Sequence, residues 1–481
     1  MIAPDPTALT PSDAAGAAEL RTQFGYLREL VAEMERSLPY AGALARATVG
    51  LDLELSDDEQ SARRLDPVGG VVLTVSNGYG LEEAATDRTD RDSVQAMARE
   101  LVERALSHRS DSSTPPLEIQ LDGAANADYA TPVEIDPASL PLADKLERYE
   151  ALRRRLRDID RRSVQATCHY ADRSQRGIVV TRRGLVTQQL RRGFVTLVLF
   201  VSDGTQQRYD FIAQGASGGL ENLEVGEERL AQMAHTAVAL LSARPVPAGT
   251  YDVVTEPVIS GTIAHEAFGH GMETDMFLKG RARGAEYIGR RVGSDLVNIV
   301  DDPTMPGGYG GYYVDDEGVL AGPTHIVRDG ILQRGITDLY SASRLGIPRS
   351  ANGRRESIQR KAYARMSNTF FAPGASTREE MLSGLDDGLL LGQSVNGMED
   401  PKGWGIQIWA HYARQYKGGK PTGVLYSPIA MTGYVPDLLA DVSQVSSDPP
   451  SMDAGTCGKG WKELVPSSSG GPYLRTRCRL A

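Results

Sequence analysis

The stretch GTIAHEAFGHGMETD, Gly261 to Asp275, restricts its own backbone more tightly than any other part of the chain. It carries two of the seven histidines, His265 and His270, with Glu266 directly after the first. Each residue of an α-helix turns by about 100°, so positions five apart point about 140° apart. On a straight helix the two imidazoles diverge. They meet only if the helix ends, widens or kinks between them. Gly269 and Gly271 flank His270 and supply that freedom. A π-turn would bring the same result, and such turns gather at functional sites. The shorter zinc-peptidase motif keeps its histidines four apart on one face. Here the glycines belong to any metal-binding reading, against the plainer alternative of a helix with two structural histidines.

Two imidazoles leave a catalytic zinc short of its usual three protein ligands. The residues alone leave the third open among Cys457, Cys168, His169, His325, His411 and the carboxylates. Cys457 lies in AGTCGKG, where Gly455 and Gly458 predict a tight turn. Cys168 lies within a strand pattern and reads as a small core residue. His235 reads as structural on its helix. His325 and His411 fall in β-like segments, as structural histidines or as oxyanion stabilisers. Asp315, Asp316 and Glu317, in PGGYGGYYVDDEG, read first as turn residues and second as a cation site. Glu266 takes the place of the general base in the shorter motif. There the glutamate removes a proton from a water whose pKa the metal lowers to about 7.

The composition excludes several classes. Net charge is -11 over 481 residues, which opposes general nucleic-acid binding, since phosphates need a basic surface. RRRLRD near residue 155 is interrupted by acids and reads as a solvated face. No apolar run approaches the roughly 20 residues of a membrane span. The start, MIAPDPTALTPSDAAG, has neither a basic region nor an apolar core, so no secretory signal is expected. Three cysteines, Cys168, Cys457 and Cys478, are too few and too odd for a disulfide framework, and a reducing cytoplasm is expected.

Length and patterning predict an α+β chain with two domains, residues 1–245 and 246–481, divided near RPVPAG. A helix after Ser12 places Leu20, Phe24, Leu27, Val31 and Met34 on one face. Strands are expected over ALARATVGLDLEL, SARRLD and GGVVLTVSNG, followed by a helix capped by Asp90 or Asp92. SHRSDSSTPP is expected as a loop, and a linker rich in Ala, Pro and Asp leads to Pro141. A second pass repeats the order: a helix from Leu142, strands from Ser163 to Gln214 with a hairpin at Asp203-Gly204, and a helix over 226–243. The N-terminal half thus reads as helices packed on a mostly antiparallel sheet. Beyond residue 250 an antiparallel, barrel-like β domain is expected, with hairpins at Asp329-Gly330 and Gly418-Gly419.

Taken together, TIAHEAFGHGMETD and the distant GTCGKG resemble the TldD/PmbA family of metallopeptidases. DDPTMPGGYGGYYVDDEG, RRESIQRKAYARMSNTFFAPG and GKGWKELVPSSSGGPYLRTRC look like blocks of its TldD branch, and the order fits from about residue 40 onward. The resemblance implies that His265, His270 and Cys457 hold one divalent metal, zinc or iron, and that Glu266 is the base. It implies hydrolysis of unfolded or extended peptides. It also implies a heterodimer with a PmbA-like (TldE-like) subunit, because that branch typically lacks the metal motif. KELVPSSSGGPYL and QSVNGMEDPKGWG depart from the pattern and are candidates for the substrate channel. Two other readings stay open: a regulatory subunit whose metal is structural and closed by a fourth protein ligand, and a relative acting on a modified amide or peptide precursor in natural-product biosynthesis.

Overall fold

Alternation along the first strands builds a sheet with two buried faces. The computed structural model describes residues 10–108, 115–121, 125–460 and 462–481. Two helices, α1 (Pro11–Phe24) and α2 (Leu27–Met34), replace the single helix expected. The chain breaks between them at Gly25 and Tyr26, yet all five predicted face residues are buried. The start is also earlier than expected: the Thr10 hydroxyl, not Ser12, accepts the Asp13 N–H at 3.2 Å.

Strands β1 (Tyr40–Leu55), β2 (Gln60–Ser76) and β3 (Leu81–Thr86) follow. SARRLD and GGVVLTVSNG, expected as two strands, are one. Pro67 between them lies where the β1–β2 register shifts, opposite Thr48 to Gly50. A bulge tolerates a residue that has no N–H to pair. Helix α3 (Arg91–Ser107) is capped by Asp90. Residues 109–114 of the expected SHRSDSSTPP loop lie outside the described residues.

The expected linker contains a short strand, β4 (Ala125–Ala130), which runs parallel to β6. Helix α4 (Leu142–Arg157) leads to β5 (Ser163–Thr181), β6 (Gly184–Ser202) and β7 (Gln207–Ser217), and α5 (Glu227–Leu240) follows. Strand order is β3-β2-β1-β5-β6-β4, with β7 also on β6. All pairings but β4–β6 are antiparallel. Ala41, Ala43 and Ala45 face the helices, packed with Leu27, Val31 and Leu101. Leu44, on the other face, packs with Val72, Val179, Val314 and Ile358, so the sheet's second face docks on the C-terminal half.

That half starts with β8 (Gly249–Thr255) and helix α6 (Pro257–Ala264). Short strands β9 (Ile299–Asp301), β10 (Thr324–Arg328), β11 (Ile331–Leu332), β12 (Gly353–Arg354), β13 (Tyr363–Ala364) and β14 (Asn368–Phe371) come next. Longer ones follow: β15 (Asp387–Asp400), β16 (Gly405–Lys417), β17 (Lys420–Tyr426) and β18 (Ile429–Tyr434). The last are β19 (Gln444–Val445), β20 (Ser451–Lys459), β21 (Lys462–Gly471) and β22 (Leu474–Leu480). Both predicted hairpins form, β10–β11 and β16–β17. Strands β15-β8-β22-β18-β16 close on themselves through β15–β16, giving a five-stranded barrel. A second sheet runs β11-β10-β9-β14-β21-β20.

Helix α6 lies between barrel and second sheet. Its sequence, PVISGTIA, has no polar stripe, and every residue from Ile259 to Ala264 is buried. Gly261 permits the approach, because a methyl group there would lie 2.4 Å from the Gly470 nitrogen of β21. Among the described residues, no helix is long and apolar enough to cross a membrane.

Candidate metal centre

Helix α6 does not run straight through the histidines. From His265 to Gly269 it widens into a π-helical turn, and the His270 N–H bonds to the His265 carbonyl five residues back. One added residue per turn rotates His270 back toward His265. Their ring centroids stand 5.3 Å apart with planes at 89°. The widening expected from the five-residue spacing is thus a π-turn. A 3-10 turn, His270–Met272, then ends the helix. Gly271 sits against Glu399 of β15, where a methyl group would come within 2.6 Å of the carboxylate.

Cys457 reaches the pair from β20. It was expected in a tight turn, but it lies within the strand, and the reversal comes later at Gly460 with φ 69°. The β20–β21 register shifts between Cys457 and Lys459. Cys457 Sγ lies 3.2 Å from His265 Nε2 and 3.0 Å from His270 Nε2. All three ligand atoms fall within 4.8 Å of one another, and among the described residues no other such group of His, Cys, Asp or Glu forms. Cys457 is 6% exposed.

The donor chemistry fits a borderline-soft ion such as zinc: two imidazole nitrogens and one sulfur on a common point. Burial alone would raise the Cys457 thiol, but His265 and His270 outweigh it and hold the thiol well below its usual range. The Arg365 guanidinium, fully buried, donates to Cys457 Sγ at 3.1 Å. Its Nε donates to Glu273 at 2.9 Å. Glu273 in turn lies 3.9 Å from His270 Nδ1 and 2.9 Å from Lys459 Nζ. Burial opposes the Glu273 charge, yet Lys459 and Arg365 hold the carboxyl far below its usual range. Metal-binding histidines commonly give their second N–H to such a carboxylate. Among the described residues His265 has none: its buried Nδ1 is without a partner there.

Glu266 occupies the π-turn between the histidines, half-buried. Its carboxylate lies beside Gly397 of β15, where a methyl group would be 3.1 Å from Oε1. Two residues on, Glu399 buries both carboxylate oxygens without a hydrogen-bond partner among the described residues. Burial pushes this carboxyl up to about 9, with His270 pulling it down and Glu266 pushing it up. QSVNGMEDPKGWG, noted as a candidate channel segment, therefore walls the centre.

The other candidates stay away. Cys168 is buried under α4 with Tyr149, and burial pushes its thiol up to about 12. His169 sits edge-on to Phe194. His235 and His325 are exposed. His411 Nε2 faces the Tyr209 carbonyl at 2.8 Å. Asp315 caps a turn through the Glu317 and Val319 N–H groups, Asp316 pairs with Arg46, and Glu317 accepts from Leu339 N–H. The sequence reading missed Arg365, Glu273, Lys459 and Glu399. Arg365 stood inside a quoted block, and nothing in its neighbours distinguishes it from a surface arginine.

Comparison with known proteins agrees with this geometry. Residues 248–478 match the family profile of the PmbA/TldA metallopeptidase C-terminal domain. A metalloprotease of Methanothermobacter thermautotrophicus is 28% identical over 457 residues, covering 94% of this chain and 97% of that protein. A zinc metalloprotease TldD homolog of Saccharolobus solfataricus is 29% identical over 288 residues, covering 60% of this chain and 61% of its own length. The crystal structure of TldE from Thermococcus kodakarensis superposes with a TM-score of 0.73 at 15% identity, covering 95% of this chain and 99% of that one, and so shares the fold. With the family profile spanning the histidine turn and Cys457 alike, the chain belongs to the TldD/PmbA family of metallopeptidases.

Proposed function

We propose that this metallopeptidase hydrolyses peptide bonds in extended peptides, with one zinc ion held by His265, His270 and Cys457 and with Glu266 as general base. The observation that carries the reading is the convergence of three donor atoms within 4.8 Å around a π-turn that also presents Glu266. Zinc bound there would supply a Lewis acid for the scissile carbonyl and acidify a water. Glu266 accepts the proton of the attacking water and returns it to the leaving amine. Arg365 and Glu273 keep Cys457 and His270 oriented. Three protein ligands leave a catalytic zinc one open position, whereas a structural zinc is closed by four.

In this reading residues 246–481 form the catalytic domain, and residues 1–245 wall it through the sheet face bearing Leu44 and Val179. An extended peptide pairs by its main chain with an exposed strand edge, so side-chain selectivity is low. A TldE-like subunit is the expected partner, supported by the shared fold. Three free cysteines agree with a cytoplasmic setting.

The test is Glu266→Gln in the presence of the partner, assayed on unstructured peptides with metal analysis. Cleavage should be lost while about one zinc per chain remains. A variant that cleaves at the parent rate overturns the mechanism. Loss of zinc together with activity would make Glu266 a ligand instead.

A further inference from the structure

Between the first sheet and the C-terminal half lies a cavity of about 360 Å³. Its wall is rich in arginine: Arg46, Arg173, Arg192, Arg354 and Arg355. Three of these are matched by carboxylates. Arg46 pairs with Asp316 at 3.0 Å, Arg173 with Asp52 at 2.6 Å and Arg355 with Glu83 at 2.9 Å.

Arg192 and Arg354 are different. They are 4% and 7% exposed, and among the described residues no carboxylate comes within ion-pair distance of either. Arg192 gives Nε to the Tyr309 carbonyl at 2.8 Å and Nη2 to the Gly311 carbonyl. Arg354 gives Nη2 to the Pro466 carbonyl at 2.9 Å and Nη1 to the Met366 carbonyl, and stacks 4.8 Å from the Tyr312 ring centroid. Carbonyls solvate a guanidinium but do not neutralise it. A buried charge without a direct ion pair is costly. Asp316, which lines the same cavity, and Asp301 act on the Arg354 guanidinium from beyond pairing distance and do not offset the lowering by burial. Burial, with Arg354 and Arg46 near, lowers the Arg192 guanidinium to about 10, a sign of how poorly its charge is met.

We propose that this cavity binds a small molecule through a terminal oxyanion, carboxylate or phosphate, held by Arg192 and Arg354. Planar guanidinium forks match both groups. The volume, at the lower end of small-molecule sites, leaves room for an apolar body beside Leu190, Val314 and Ile358. Thr456, next to Cys457, also lines the cavity, and Arg354 ties the Pro466 carbonyl of β21 to Met366, the neighbour of Arg365. An occupied cavity thus braces the strand pair that carries Cys457.

Calorimetric titration of the zinc-loaded protein tests the site. Sodium phosphate is one ligand arm and an N-acetyl dipeptide with a free C-terminus the other, each against sodium chloride at matched ionic strength. We expect saturable binding in one arm, weakened at least tenfold by Arg192→Met and by Arg354→Met. Binding of the dipeptide but not its C-terminal amide identifies a carboxylate ligand; binding of phosphate identifies a phosphate. No saturable binding in either arm, or binding that both folded variants retain, overturns the proposal. Should the variants fail to fold, selenate-soaked crystals of the parent decide. An anomalous peak within hydrogen-bond reach of both guanidinium groups supports the site, and its absence from the cavity overturns it.

Discussion

Arg365 Nη2 donates to Cys457 Sγ at 3.1 Å while its Nε holds Glu273, so one fully buried guanidinium spans the sulfur and the carboxylate behind His270. Removing it leaves Glu273 in the interior with Lys459 and the more distant His270 ring. Breaking a buried pair from one side typically lowers stability by about 3–5 kcal/mol. Arg365→Met should therefore lower the unfolding free energy by roughly that amount in urea titration. A surface control, Arg36→Met, at an exposed position, should stay within about 0.5 kcal/mol of the parent. An Arg365→Met protein as stable as the control would mean that the charge network contributes little.

Glu273 makes a separable contribution. It sits 3.9 Å from His270 Nδ1, where a carboxylate orients the ring and raises its basicity. Glu273→Gln keeps the shape and removes the charge. Zinc affinity, measured by competition with a chromophoric chelator, should fall about 10–100-fold. Equal affinities in variant and parent would leave His270 positioned by the π-turn alone.

Gly261 tests the packing that brings the histidines to Cys457. A methyl group there meets Gly470 N at 2.4 Å, a backbone atom that has no rotamer to yield. Overpacking of this kind typically costs about 1–3 kcal/mol. Gly261→Ala should lose about that much stability and also bind zinc more weakly, since α6 must shift from β21. A variant with lower stability but unchanged zinc affinity would separate the helix position from the centre.

Much of the centre was legible in the sequence because spacing is geometry. Five residues between His265 and His270 demanded a widened turn, and the π-turn at His265–Gly269 is that demand met by backbone. Long strands were legible through alternation, as in Ser163–Thr181. What escaped has no period. Arg365, Glu273, Lys459 and Glu399 are single charged residues whose partners lie far away by number, 186 positions for Lys459 and Glu273. They acquire meaning only when β14, β15 and β20 meet around α6. Strand β4 escaped likewise: six residues, largely small or polar, paired on one side, carry no alternation strong enough to separate them from a linker. The joining of β2 across Pro67 depended on a bulge that only the partner strand reveals.

Asp210, on β7 and outside the centre, gives the pH dependence a definite sign. It is buried with His411 Nε2 at 3.7 Å, and burial pushes its carboxyl up to about 7, with Arg414 pulling it down and Glu256 pushing it up. An unfolded aspartate titrates near 3.9. Between those values the folded chain keeps a proton that the unfolded chain releases, so stability falls as pH rises. The favourable share is complete below about pH 4 and gone above about pH 7. Asp210→Asn removes this dependence and preserves the oxygen that accepts the Phe211 N–H at 2.9 Å. The His411 imidazole, lowered by burial and 3.7 Å from Asp210, titrates with it as a pair, so its own titration is followed in parent and variant. Urea unfolding should find the Asn variant more stable than the parent at pH 8, by roughly 2–4 kcal/mol, with the gap closing toward pH 4. A gap that stays constant with pH, or that widens as the solution is acidified, would show that the Asp210 carboxyl is charged in the folded protein.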